Sequence, residues 1–179
     1  MKQALKSEIV SNPNYFDRYI AVVPEDDLFV ALTHSLNNWM KMDWDRLARI
    51  GDKVYEPGKW TIKEVLQHIN DTERIMSYRA LRFARNDQTL LPGYDENYFV
   101  EHSNANERSL EALKEEFILL RKSAINMYES FNEESLLRRA ICFNVDLSVL
   151  ALGFILAGHQ IHHMKVMQEK YYFLADNQK

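Results

Sequence analysis

Histidines offer this chain its most versatile chemistry, because a neutral imidazole nitrogen is both a base near neutral pH and a ligand for divalent metals. The chain carries His34, His68, His102, His159, His162 and His163. If the segment around the last three is helical, His163 lies about 40° around the axis from His159. Both then fall inside the arc marked by Leu152, Ile155, Leu156, Val166 and Met167, so both face inward. His162 lies about 60° to the other side of His159, at the margin of that arc. The same arithmetic places His68 between Val65 and Ile75 on one flank and Ile69 and Met76 on the other, again inward. A histidine pair at i and i+4 brings two side chains into register on successive turns, and one histidine from a facing helix completes three neutral nitrogen ligands. Such a set leaves coordination positions open. An ion held there lowers the pKa of water or a thiol and holds an electrophile beside it. A plainer reading stays available, in which the inward histidines hydrogen-bond to polar groups of the core.

Other side chains near these positions have weaker claims. Glu64 lies one turn before His68 and has the reach of a base or an outer partner, but a place in a helix cap explains it equally well. Asp71, one turn after His68, is a candidate acceptor behind a metal ligand. Tyr94, Asp95 and Tyr98 fall in a long connection able to cover an open coordination position. His162 is expected at the rim. His34 and His102 read as solvated surface residues, and Cys142 as a small buried hydrophobe with no base beside it. No residue is singled out as a catalytic acid or nucleophile.

The elements that must position the histidines are helices. Gly 5 and Pro 4 in 179 residues remove the punctuation that sandwiches, barrels and Rossmann turns need. Four long helices are expected, at about 26–50, 61–86, 105–130 and 146–172. The first opens on the carboxylates of Glu25, Asp26 and Asp27 and stops at Gly51. The second opens on the Thr61/Glu64 capping box, and the third alternates Leu110, Leu113, Phe117, Leu120, Ala124 and Met127 at threes and fours. The fourth opens on Asp146 and holds the densest apolar content, so it belongs at the centre. Residues 1–24 read as a lead-in, with a helical turn at Asn12-Pro13 carrying Tyr15, Phe16, Tyr19 and Ile20. Residues 88–104 and 131–146 are connections, the second briefly extended over Ala140 to Val145. The whole reads as one domain spanning 1–179, an all-α four-helix bundle with long crossover connections.

Composition bounds the function. With Lys+Arg 22 against Asp+Glu 26 the net charge is −4, and no cluster of basic residues offers a footprint for nucleic acid. The longest apolar run, Val149 to Gly158, is too short to span a bilayer, so no membrane is expected. A single cysteine and a first segment without a continuous apolar stretch fit a cytoplasmic protein. A small-molecule substrate is the expected partner.

Three segments resemble the DinB/YfiT-like superfamily of metalloenzymes. Gly58-Lys59-Trp60-Thr61, leading into the helix that carries His68, is similar to that family's first motif. Asp71 to Arg82 and Leu91-Pro92-Gly93-Tyr94-Asp95-Glu96 also resemble it. Gly158-His159-Gln160-Ile161-His162-His163, followed by Tyr171-Tyr172, is similar to the C-terminal motif, in which the first and last histidines are ligands. The resemblance implies an up-down-down-up bundle, commonly a homodimer, with zinc, nickel or iron on His68, His159 and His163. It further implies activation of a small thiol or of water, since relatives include bacillithiol and mycothiol-type S-transferases and a mycothiol-dependent isomerase. The expectation is a metal-dependent S-transferase or hydrolase acting on a small electrophile. The alternative is a noncatalytic, stress-related bundle that binds a metal or small ligand.

Overall fold

The computed structural model describes residues 4–10 and 13–176; Asn12, half of the turn expected in the lead-in, lies outside them. The chain folds through α1 (Asp17–Ala21), α2 (Leu28–Met40), α3 (Trp44–Ile50), α4 (Ile62–Ala84) and α5 (Glu96–Glu101). It continues through α6 (Leu110–Glu129), α7 (Glu133–Leu137), the strands β1 (Arg139–Cys142) and β2 (Val145–Ser148), α8 (Val149–Lys170) and α9 (Phe173–Asp176). The main helices start at side-chain caps that satisfy their first free N–H groups. Asp27 accepts from the amides of Phe29 and Val30, Ser109 from Ala112, and Ser148 from Ala151. At α4 the box is reciprocal: the Glu64 amide donates to Thr61 Oγ1 at 3.2 Å, and the Thr61 amide to Glu64 Oε2 at 2.7 Å.

Side-chain contacts fix the direction of each helix. Leu28 packs at Gly153 and Ser35 accepts from Gln160, so α2 and α8 run parallel. Tyr128 also packs at Gly153, whereas Arg121 reaches the Leu156 carbonyl and Gln160, so α6 runs against α8. Asn70 meets the Leu113 carbonyl and Glu73 meets Arg121, which makes α4 and α6 parallel. The bundle is therefore up-down-down-up. In α8 every residue from Val149 to Gln160 is buried, which requires neighbours on all sides and places this helix at the centre.

The core is divided. One apolar cluster gathers Leu28, Leu32, Phe83, Tyr128 and Phe154, and the other gathers Trp39, Leu66, Phe117 and Met167. Between them lies a polar layer of Ser35, Glu73, Arg121 and Gln160, all buried. The Arg121 guanidinium forms a two-point ion pair with Glu73, at 2.7 and 3.0 Å, and also donates to Ser35, Gln160 and the Leu156 carbonyl. Full pairing is what lets two charges leave water here.

Several expected boundaries are corrected. The helix expected at 26–50 is two helices, α2 and α3, because Asp43 accepts from the Arg46 amide and starts a new one, while the Trp39 carbonyl near the end of the first accepts from the Met42 amide and the Trp44 indole. The third helix begins at Leu110 rather than 105, since Ser109 is its cap and residues 105–107 form a separate 3-10 turn. Asp146 does not cap the last helix; it sits in β2 in an ion pair with Arg139, and Ser148 takes the cap. The connection at 88–104 contains α5, with Asp95 accepting from the amides of Asn97 and Tyr98. The extended segment expected before the last helix is half of a hairpin, with β1 and β2 antiparallel and Cys142 paired with Val145. Its two-residue turn, Phe143-Asn144, has φ of 50° and 60°, the left-handed pair that such turns require, formed here without glycine.

Candidate metal centre

Where α4 and α8 cross, His68, His159 and His163 converge, one ligand nitrogen from each lying within 4.8 Å of the others. The His68 and His159 Nε2 atoms are 3.0 Å apart. The three rings pack edge to face, with centroids 4.5 to 4.9 Å apart. His68 is 5% exposed and His159 6%. Burial, with the neighbouring His162, pushes His68 down to about 4. His159 and His163 are held well below the usual imidazole range, first by burial, then at His159 by His163, His68 and His162, and at His163 by His68, His162 and Arg18. All three are therefore neutral at pH 7, the state a metal ligand requires.

The surroundings fix the rings. The Trp60 ring lies 4.9 Å from that of His68, and the Tyr171 hydroxyl donates to the Trp60 carbonyl at 2.5 Å, so the end of α8 braces the entry to α4. Tyr19 of α1 sets its ring edge-on to His159 at 5.3 Å and to His162 at 5.5 Å. Gly158 makes that approach possible: a Cβ there would lie 1.8 Å from the Tyr19 carbonyl oxygen, so only glycine lets α1 sit against α8.

His159 also lines a cavity of about 260 Å³ bounded by α1, α4, the segment around Tyr94, the hairpin tip and α8. Its walls include Phe16, Tyr19, Thr72, Met76, Arg79, Tyr94 and Ile155, with Phe143 across from Gly93. A Cβ on Gly93 would come within 2.3 Å of the Phe143 ring, so glycine is what lets this wall close.

The other expected residues take distinct places. Glu64 is occupied by the helix cap and by Asn106, whose amide donates to Oε1 at 3.0 Å. Asp71 accepts from Gln67 at 2.8 Å and lines a different surface cavity, with Tyr98. Burial raises its carboxyl despite Gln67 and Arg74. Tyr94 lines the cavity beside His159; its hydroxyl is 2.8 Å from that of Thr72, and burial pushes it up to about 12. Tyr98 is exposed and stacks on His102. His162 stands half-buried between Tyr19 and His163. His34 contacts Glu25 at the surface, and Cys142 is fully buried.

Trp60, Tyr19, Thr72 and Arg79 also belong to this region and were not singled out from sequence as site residues. For Arg79 a signal exists. It follows His68 by eleven residues, about 20° around the helix, so a charged side chain occupies the inward face of α4. Tyr19 gives no such sign, because its place depends on how a short helix docks.

Comparisons with known proteins bear on the family and the fold. A family model described as the DinB superfamily matches residues 12–167. No curated protein matches the sequence. Among solved structures, YfiT from Bacillus subtilis superimposes with a TM-score of 0.63 at 17% identity, covering 86% of this chain and 84% of that one. That protein is described as "a probable metal-dependent hydrolase with an unusual four-helix bundle topology". At this identity the likeness is one of fold, and the four-helix topology is common to both.

Proposed function

The chain belongs to the DinB superfamily, and from that premise we propose that it is a metal-dependent hydrolase of a small substrate, with the ion held by His68, His159 and His163. The observation that carries this reading is the convergence of three neutral imidazoles, two of them buried and the third half-buried, at the edge of a cavity. Among the described residues no cysteine, aspartate or glutamate joins the group, so the protein supplies three ligands and leaves room for reactants. The donor set suits zinc, nickel or iron, all of which accept imidazole. When bound, such an ion supplies Lewis acidity and lowers the pKa of water. The chain's own residues do the rest. Trp60 and Tyr19 hold the imidazoles in place, Phe16, Met76 and Ile155 give the cavity an apolar wall, and Tyr94 and Thr72 present hydroxyls to a ligand beside His159. Thiol transfer, the other reaction implied by the resemblance, would use the same open coordination positions.

Elemental analysis of untagged protein purified without chelator tests the site. About one equivalent of a transition metal is expected, lost in both His68→Ala and His159→Ala. Wild-type protein that holds no metal and takes up neither zinc nor nickel overturns the reading. A screen of esters, amides and lactones, alongside small thiols paired with electrophiles, then decides the chemistry. Turnover of the first group that disappears in His68→Ala supports hydrolysis. Turnover only with thiols assigns transfer, and metal without turnover leaves a noncatalytic binding protein.

A further inference from the structure

We propose that the cavity beside His159 selects substrates carrying one carboxylate, and that Arg79 is the residue that binds it. This deepens the hydrolase reading and rests on it for the identity of the ligand as a substrate. Arg79 is 5% exposed and lines the cavity wall together with His159. A guanidinium has five N–H donors and no neutral form at physiological pH. Arg79 donates to the Pro92 carbonyl at 2.9 Å and to the Met76 sulfur at 3.4 Å, and its charge stands 5.9 Å from the centre of the Tyr94 ring. Among the described residues no carboxylate lies within ion-pair distance of it. The contrast with Arg121 is informative. That guanidinium, also buried, meets a carboxylate at two points and fills its remaining donors within the bundle. One buried arginine is thus fully paired inside the protein, and the other turns a charge and spare donors toward an open space. Leaving a buried cation without an anion is costly, and a carboxylate ligand removes that cost through charge-assisted hydrogen bonds.

The other walls narrow the class. The space, about 260 Å³, is at the small end for ligand pockets, and Phe16, Met76 and Ile155 require an apolar body. Glu96, exposed at the edge of the same cavity, disfavours a second negative charge. The ligand is therefore a compact monoanion, with its carboxylate on Arg79 and the bond to be cleaved toward the histidines.

Calorimetric titration of the protein as purified, with 4-phenylbutyrate and its uncharged isostere 4-phenylbutyramide, tests this. The acid should bind about tenfold or more tightly than the amide. The preference should vanish in Arg79→Gln, with metal content and helical circular dichroism unchanged, and persist in part in Arg79→Lys. Equal binding of acid and amide by the wild type overturns the proposal whether or not the variants fold. So does a preference that survives in Arg79→Gln, which would place the carboxylate on the metal instead. The two readings fail separately: an Arg79-dependent preference in a protein that takes up no metal removes the hydrolase reading and leaves the anion site.

Discussion

The three imidazoles are kept neutral by the same burial that brings them together, and this has a cost that depends on pH. In metal-free protein His68 titrates at about 4, whereas in the unfolded chain it returns to about 6.5. Between those values the unfolded chain binds a proton that the folded one refuses, so folding stability falls as pH drops from about 6.5 toward 4. His159 and His163, also lowered, act in the same sense. Urea midpoints measured in chelator from pH 7.5 to 4.5 should decline more steeply in the wild type than in His68→Gln. Equal slopes would mean that His68 is solvated. At this scale the triad was legible because helical spacing alone fixes which side chains share a face. Glu64 was legible as a cap because Thr61, three residues before it, completes a capping box. Tyr19 and Trp60 were not, because each reaches the site from outside the helix whose ligands it touches.

Elements carry the site by being held at a fixed height relative to one another. The Arg121–Glu73 pair joins α6 to α4, and the bonds of Arg121 to Gln160 and Leu156 join α6 to α8. A slip of one turn at either contact would strand a charge in the apolar core. Arg121→Met should therefore destabilise the protein by about 3–5 kcal/mol by leaving Glu73 buried alone. Arg121→Met combined with Glu73→Leu should recover most of the loss, with denaturant melts of both variants as the readout. If the single change costs less than about 1 kcal/mol, the layer does not hold the register. The long helices α4 and α6 follow from apolar periodicity and α8 from its dense apolar content, and their existence was legible. The break between α2 and α3 and the β hairpin were not. The first depends on Asp43 capping a new helix while the Met42 amide and the Trp44 indole share one carbonyl, and the second on Phe143 and Asn144 adopting left-handed backbone where glycine would announce a turn.

For the whole molecule, the polar layer and the two apolar clusters are held together by protein groups alone. Chelation is therefore expected to lower the melting temperature while leaving helical circular dichroism intact. For metal at a hundredfold over its dissociation constant the loss is about 3 kcal/mol, or about 5–10 °C for a chain of this size. Unfolding on chelation would show that the ion, rather than the layer, holds the bundle together. No helix among the described residues is long and apolar enough to cross a membrane. The seat of α1 on Gly158 also bears on biosynthesis. Phe16, Tyr19 and Ile20 are translated well before the α8 surface that covers them, which is made together with His159 and His163. Until then those side chains lack the α8 surface they pack on, and a chain interrupted before Gly158 contains His68 but neither of the other two imidazoles. The pocket therefore closes only once α8 has been made, and its presence reports that this helix is in place.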